Sequence, residues 1–589
     1  MAAKKADFSK IAEEFGISPV VARIIRNRDV EGSEAIRKFL YGSKKDLYSP
    51  WKLADMEPGV ELLLKGIEQK KIIRVIGDYD VDGICATHIL CTGLKEAGAI
   101  VDTAIPHRMK DGYGLNEHLI REASEAGVEL IVTCDNGIAA GEQIALAKSL
   151  GMEVLVTDHH EVPFEEQGDV RKEVLPPADA VIDPKQNACT YPFPGICGAV
   201  VAMKVIQALF QRIFPERETE ILDKMLPFAA LATVCDVMEL LDENRVIVKE
   251  GLKLLRLKPC MGLLALMQVN GLEPEKLNTY HLGFVIGPCM NATGRLDTAG
   301  RALELLSCTQ KNLAMNYASE LKELNDSRKA MTAKSVDEAH SIIEREMLTQ
   351  DKVLVVYLPE CHESLAGIVA GRLREVYCKP VFVLTDSEDG VKGSGRSIDA
   401  YHMYEEMVKC KDCFSKFGGH KLAAGLSIHE ELFLHIGQVQ GLRKKLNANC
   451  TLQEEDFIKK ISIDVPMPIS YANLDLAGQM ELLEPFGVGN PKPLFAQKNV
   501  IFASGKKIGA NQNFAKYQVV DDTGKHQEVV FFGNLDAFHD FLSKNHGKDA
   551  LNHLYSGKNC NYAINITYQL GINTFRGAQN VQLIMQDYS

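Results

Sequence analysis

Ile72-Ile73-Arg74-Val75-Ile76-Gly77-Asp78-Tyr79-Asp80-Val81-Asp82-Gly83 joins a short β-rich apolar run directly to an acidic loop. The first five residues read as a buried strand, and Ile84 to Ala97 as the helix that follows. The pattern recurs twice. Leu130-Ile131-Val132 leads into Thr133-Cys134-Asp135-Asn136-Gly137, and Val154-Leu155-Val156 into Thr157-Asp158-His159-His160. Strands alternating with helices predict an α/β fold, a parallel sheet covered on both faces. Ligands bind such sheets beyond the carboxyl ends of the strands. Acids and imidazoles at three successive strand ends therefore converge on one crevice.

Like charges crowded within a few ångströms raise one another's pKa, so a cluster of this kind calls for a counter-charge. Divalent cations supply it, and carboxylates with imidazole suit Mn²⁺ or Mg²⁺. The alternation places Asp78, Asp80 and Asp82 on one side of their turn. Taken singly, each element has a plainer reading as a turn or cap residue, but three coincidences at three strand ends favour the metal site. A calcium loop of the EF-hand type is excluded, because position 89, where its Glu would stand, is Ile.

Outward from this core, residues 1–55 look helical. A stretch from about 310 to 347 lacks Gly and Pro and carries Ala314, Tyr317, Leu321, Leu324 and Met331 at helical spacing, which predicts a connecting helix. A second α/β unit follows, with strands Val353–Tyr357 and Val381–Leu384 around a helix Ser364–Val376. After about 450, short alternating segments (Asn499–Ala503, Ala515–Val520, Glu528–Phe532, Tyr562–Tyr568, Val581–Ile584) predict a small β-barrel. The expected division is a helical extension over 1–55, a catalytic domain over 56–308, the connecting helix over 309–348, a second α/β domain over 349–450 and the barrel over 451–589.

The 589 residues exceed what one core supports. No run of 18 apolar residues occurs and the N-terminus has no apolar signal region, which predicts a cytoplasmic protein without a membrane partner. Fifteen scattered cysteines suit reduced thiols, and Cys410-x-x-Cys413 lacks the second pair a structural zinc needs. The net charge of −13 does not point to nucleic acid, yet Phe495 to Ser589 carries nine Lys/Arg against seven Asp/Glu. The acidity therefore lies upstream, where carboxylates cluster.

Asp78-Tyr79-Asp80-Val81-Asp82-Gly83, Cys134-Asp135-Asn136-Gly137, Asp158-His159-His160 and Cys235-Asp236-Val237-Met238 resemble the four successive motifs of the DHH phosphoesterase family. The resemblance implies that Asp80, Asp82, Asp135, His159, His160 and Asp236 serve catalysis and hold two divalent cations, Mn²⁺ or Mg²⁺, with Asp135 bridging. Many family members carry a His upstream of the Asp pair. Position 76 here is Ile, which leaves Asp78 to take over part of that role. Asn291-Ala292-Thr293-Gly294-Arg295, Gly393-Ser394-Gly395-Arg396-Ser397, Phe417-Gly418-Gly419-His420 and Glu484-Pro485-Phe486-Gly487-Val488-Gly489-Asn490-Pro491 resemble segments of the RecJ group within that family.

By this resemblance the chain comprises a parallel-sheet DHH domain, a long connecting helix, a DHH-associated α/β domain and an OB-fold barrel. It would be a single-stranded-DNA-specific 5′-to-3′ exonuclease that releases mononucleotides. Glycine-rich loops let backbone N–H groups approach phosphate, and Arg adds a bidentate contact. Arg295, Ser394, Gly395, Arg396 and His420 are the expected nucleotide clamp. His362 is a further candidate in a segment that departs from the family's His-x-Gly pattern. In the barrel most aromatics face the core, so Lys506, Lys507, Lys516 and Arg576 are the expected DNA contacts. Single-stranded DNA is the expected partner, handed over by a helicase and a single-strand-binding protein to a monomer. Two rivals stand beside this reading: a phosphodiesterase for short oligonucleotides or cyclic dinucleotides, and a non-catalytic nucleic-acid-binding scaffold.

Overall fold

The structure is a computed structural model and describes residues 4–106, 114–167, 170–296, 299–387, 390–428, 437–557, 560–575 and 577–589. In the first domain, strands β1 (Ile72–Ile76), β2 (Ile100–Ala104), β3 (Leu130–Cys134), β4 (Glu153–Thr157) and β7 (Ala180–Ile182) form a parallel sheet in the order β2-β1-β3-β4-β7. The hairpin β5 (Phe164–Gln167) and β6 (Val170–Glu173) stands apart from it. Alternate residues feed two cores. Ile73, Val75, Leu130, Val132 and Leu155 pack under the helices Val81–Glu96, Gly198–Ile213 and Glu218–Cys235. Ile76, Ile131, Val154 and Val156 pack under Glu117–Glu125 and Gly141–Ser149.

The helix Val81–Glu96 buries His88, whose Nδ1 lies 3.2 Å from Ser307 Oγ and whose ring meets Phe228 at 4.4 Å. Burial, helped by the charge of Lys95, pushes this imidazole down to about 4. Below about pH 6.5 the unfolded chain takes up a proton that the folded state refuses, so stability falls as pH drops from about 6.5 towards 4. The loss attributable to His88 reaches up to about 3 kcal/mol. A His88→Gln variant should therefore gain on the parent as pH falls from 7 to 5 in denaturant titrations. A pH-independent difference between the two would refute this.

The helix Lys311–Arg345 bridges to the second domain. It buries Ala314, Ala318, Leu321, Asn325, Thr332, Ser335, Ala339 and Ile343, whereas Met331 faces solvent. Of the spacing read from the sequence, Ala314 and Leu321 lie in the packed stripe and Tyr317 packs at its edge, whereas Met331 falls outside it, because small and polar residues make the close contacts towards the carboxyl end. The second sheet is built from β8 (Leu354–Tyr357), β9 (Val381–Ser387), β10 (Gly390–Arg396), β11 (Lys416–Gly419) and β12 (Ala423–Ile428). It runs in the order β11-β12-β10-β9-β8. Only β8 and β9 pair in parallel.

In the third domain β14 (Phe495–Ile508), β15 (Phe514–Val520), β16 (His526–Phe531), β18 (Ala578–Tyr588) and β17 (Tyr562–Phe575) pair in that order, and β17 returns to β14. This is a closed five-stranded barrel of OB topology, with the short β13 (Val465–Pro466) added beside β14. The amino-terminal helices Pro19–Asn27 and Ser33–Tyr41 join its core: Val21, Ile24, Ile25, Phe39 and Leu40 cluster with Phe495, Phe502 and Tyr568. Arg28 seals the contact with a buried ion pair to Asp464.

Candidate metal centre

The sheet order changes direction between β1 and β3, and the acidic loops leave the carboxyl ends of the strands at that point. Asp80 caps the helix Val81–Glu96, its Oδ1 accepting from the N–H of Asp82 (2.9 Å) and Gly83 (3.1 Å). Asp82 reaches across to the N-terminus of the helix Gly198–Ile213, where its two oxygens accept from the N–H of Gly198 and Ala199, each at 2.7 Å. Asp135 takes a left-handed backbone at φ 60°. Gly198 faces it, and a Cβ there would lie 2.7 Å from Asp135 Cβ, so the approach demands glycine.

His159 Nε2 lies 3.0 Å from Asp135 Oδ1, 3.5 Å from Asp82 Oδ2 and 3.8 Å from Asp236 Oδ2. Asp236 arrives from the C-cap of the helix Glu218–Cys235. Potential ligand atoms fall into two disjoint triads, Asp78–Asp80–Asp135 and Asp82–His159–Asp236, each within 4.8 Å. Asp135, His159 and His160 form a third set that links them.

The electrostatics fit cations. Burial first, then Asp82, Asp80, Asp158 and Asp78, hold the Asp135 carboxyl well above the usual range. Burial and the charges of Asp82 and Asp80 push Asp236 up to about 8. Burial lowers His159, which favours the neutral imidazole a metal needs. Burial also raises the neighbouring thiols Cys134 and Cys235, which leaves the oxygen and nitrogen donors as the candidate ligands.

Asp158, given no role of its own in the third motif, and Asp183, unread in the sequence, also reach the site. Asp158 accepts from the Ile138 N–H (2.9 Å) and holds His160 Nδ1 at 2.7 Å. Burial opposes a charged His160, but the hydrogen bond and charge of Asp158 prevail and raise its pKa. Asp183 follows β7, is raised to about 7 by burial, and accepts from the Lys185 N–H at 2.7 Å. Val181-Ile182-Asp183 repeats the strand-then-acid signal, but three residues are too few to read as a strand.

The clamp candidates divide between domains. Arg295 belongs to the first domain and spans the gap by donating to the Ser364 carbonyl at 2.7 Å. Gly294 before it lies against the Tyr79 carbonyl, and Asn291 Oδ1 accepts from the Val81 N–H at 3.2 Å, so this helix braces the first acidic loop. Arg396 ends β10, with its guanidinium over Gly367, where a Cβ would come within 2.8 Å of Nη2. Glu363, Ser364, Lys392, Gly393 and Ser394 line a cleft of 240 Å³ beside it. Gly395 turns to the core side under Met403 and Phe382. His420 is exposed after β11, and His362 Nδ1 sits 2.8 Å from Ser364 Oγ.

In the barrel, Lys506 stands opposite Lys516 in the ladder, and Lys516 also pairs with Glu528 at 2.8 Å. Lys507 points to the other face, over the Tyr555 ring at 5.7 Å. Arg576 lies outside the described residues.

The comparisons with known proteins follow the same three-part plan. Family models match for the DHH family N-terminal domain over residues 72–233, the DHHA1 domain over 350–451 and the RecJ OB domain over 463–587. The chain is 31% identical to the single-stranded-DNA-specific exonuclease RecJ of Haemophilus influenzae, over 97% of this chain and 96% of that protein. It is 36% identical to the Bacillus subtilis protein of the same name, over 88% of this chain, and spans 64% of that relative's length. The fold matches the crystal structure of RecJ from Thermus thermophilus in complex with Mn²⁺, with a TM-score of 0.76 at 24% identity, covering 99% of this chain and 77% of that one. An exonuclease RecJ bound to manganese matches with a TM-score of 0.55 at 30% identity, covering 67% of this chain and 94% of that one. With near full-length similarity and all three domain types in order, the chain belongs to the RecJ family of DHH phosphoesterases.

Proposed function

We propose that this protein is a metal-dependent exonuclease that degrades single-stranded DNA from the 5′ end and releases mononucleotides. The observation that carries this is the pair of disjoint ligand triads at the switch point of the sheet. Asp78, Asp80 and Asp135 would hold one divalent cation, and Asp82, His159 and Asp236 the other, Mn²⁺ or Mg²⁺. When bound, the cations lower the pKa of an attacking water and stabilise charge on the phosphate and leaving oxygens.

The chain's own residues do the rest. Asp158 keeps a proton on His160 Nδ1 and so aims the rest of that imidazole at the scissile phosphate. The amides of Gly198 and Ala199 hold Asp82 in one orientation. Arg295 and Arg396 position the terminal nucleotide from either side of the gap between domains, with Ser394 lining the adjoining cleft. Lys506 and Lys516, opposed in the ladder beside a single Glu528 contact, favour a polyanion along the barrel.

No helix among the described residues is long and apolar enough to cross a membrane. The fifteen free cysteines suit a reducing compartment such as the cytoplasm. A monomer suffices, since one chain supplies ligands, clamp and barrel.

The test is Mn²⁺-dependent digestion of a long single strand labelled at either end, beside its duplex and a dinucleotide. Stepwise release of the 5′ label from the single strand alone is expected. Cleavage of only the dinucleotide would instead make this a small-substrate phosphodiesterase. Binding without cleavage would make it a scaffold.

A further inference from the structure

Tyr280 and Phe284 are two of the most exposed aromatic side chains of the first domain, 62% and 68% accessible. They nevertheless stack on each other, ring centroids 5.1 Å apart and planes 24° from parallel. They sit on a short helical turn, Thr279–His281, that passes through a π-helical segment, Leu282–Ile286, into the helix Gly287–Leu296. π-Helical insertions cost regular hydrogen bonding and are frequent at functional positions.

Leu282, Ile286, Cys289 and Met290 are buried, so Tyr280, Phe284, Asn291 and Arg295 share the opposite, accessible side. That side ends at the metal centre, where Asn291 touches Val81 and Arg295 crosses to Ser364. At 1.5 Å per residue, Phe284 stands about 10 Å from Asn291 along the axis, roughly two or three nucleotides along a strand. At the other end, Tyr280 lines a cleft of 420 Å³ against the third domain, where Lys249, Arg256 and Lys492 outnumber Glu481 and Glu484. Thr279 Oγ1 donates to the Phe486 carbonyl across this boundary at 2.7 Å.

We propose that Tyr280 and Phe284 form a base-stacking platform for the single strand on the 3′ side of the scissile phosphate, guiding it from the metal centre to the cationic cleft and the barrel. This rests on the exonuclease reading above. Open aromatic faces accept any base, which suits an enzyme that must pass every sequence. An apolar protein partner would need a wider greasy patch than two rings bordered by charge.

The experiment measures affinity for a single-stranded oligonucleotide by anisotropy in chelator, so that the strand is not cut. The strand is used intact and with abasic sites at its second to fourth nucleotides. The parent protein should bind the abasic strand more weakly, and the Tyr280→Ala/Phe284→Ala double variant should lose on the order of tenfold on the intact strand. The double variant should also become indifferent to the missing bases. A Phe284→Trp variant should restore affinity, and its indole emission should be quenched by the strand. Unchanged affinity in the double variant, or weaker affinity with the abasic penalty intact, overturns the platform. If the parent neither binds nor cuts single strands, the exonuclease reading fails instead.

Discussion

Replacing Asp135 by Asn should cut turnover on the order of 10³-fold or more while leaving much of the DNA binding intact, because the loss falls on the several kcal/mol of charge stabilisation that metals supply. Asn is the informative choice. It keeps the volume facing Gly198, tolerates the left-handed backbone at φ 60°, and still reaches His159 Nε2, 3.0 Å away. What it removes is one buried negative charge among Asp78, Asp80, Asp82 and Asp158. The same substitution should raise the melting temperature in chelator, since burial and these neighbours oppose ionisation of Asp135. It should also shrink the further rise that Mn²⁺ produces in the parent. Asp135→Ala should be as inactive. An Asp135→Asn enzyme that keeps more than about a tenth of parental turnover contradicts the assigned role.

The second large effect concerns stability. Arg245 lies on the helix Asp242–Leu257, is 1% exposed, and spends all three guanidinium nitrogens on backbone carbonyls. Nε donates to Phe39, Nη1 to Leu483 and Pro485, and Nη2 to Leu482 and Glu484, at 2.7–3.2 Å. Its plane covers the Phe39 ring at 3.9 Å. One side chain thus ties the first domain to an amino-terminal helix and to the loop leading into the barrel. Arg245→Met should destabilise by about 3–5 kcal/mol, because five buried carbonyls lose this donor, although those of Leu483 and Pro485 keep another in Asn490 Nδ2. Lysine should rescue little, having three donors and no planar fork. Denaturant unfolding followed by probes in the first and third domains measures this. A midpoint equal to the parent's would show that the joint is redundant.

Much of the metal centre was readable because its signal is local. A strand followed at once by Asp or His occupies a few residues, as at Ile72–Asp82, Leu130–Asp135 and Val154–His160, and the chemistry of carboxylates does not depend on distant neighbours. The barrel's strands were legible in the same way, though only as fragments of the two 14-residue strands. β2 and β7 gave weaker signals. The edge strand β2 leaves Ile100 51% exposed, and β7 is three residues long.

By itself, then, the order of residues determined the α/β alternation, the acidic strand ends, the candidate oxygen and nitrogen donors and the order of the domains. Tertiary structure alone decided which donors share a triad, that Arg295 reaches from the first domain into the second, and that Lys507 parts from Lys506 and Lys516. It alone joined the amino-terminal helices to the barrel through Arg28 and Arg245, and left Tyr280 and Phe284 open on the side opposite the packed Leu282 and Ile286. The physical reason is range. Strand and turn preferences act over a few neighbouring residues, whereas an arginine's acceptors or an aromatic's exposure depends on chain hundreds of residues away, folded against it.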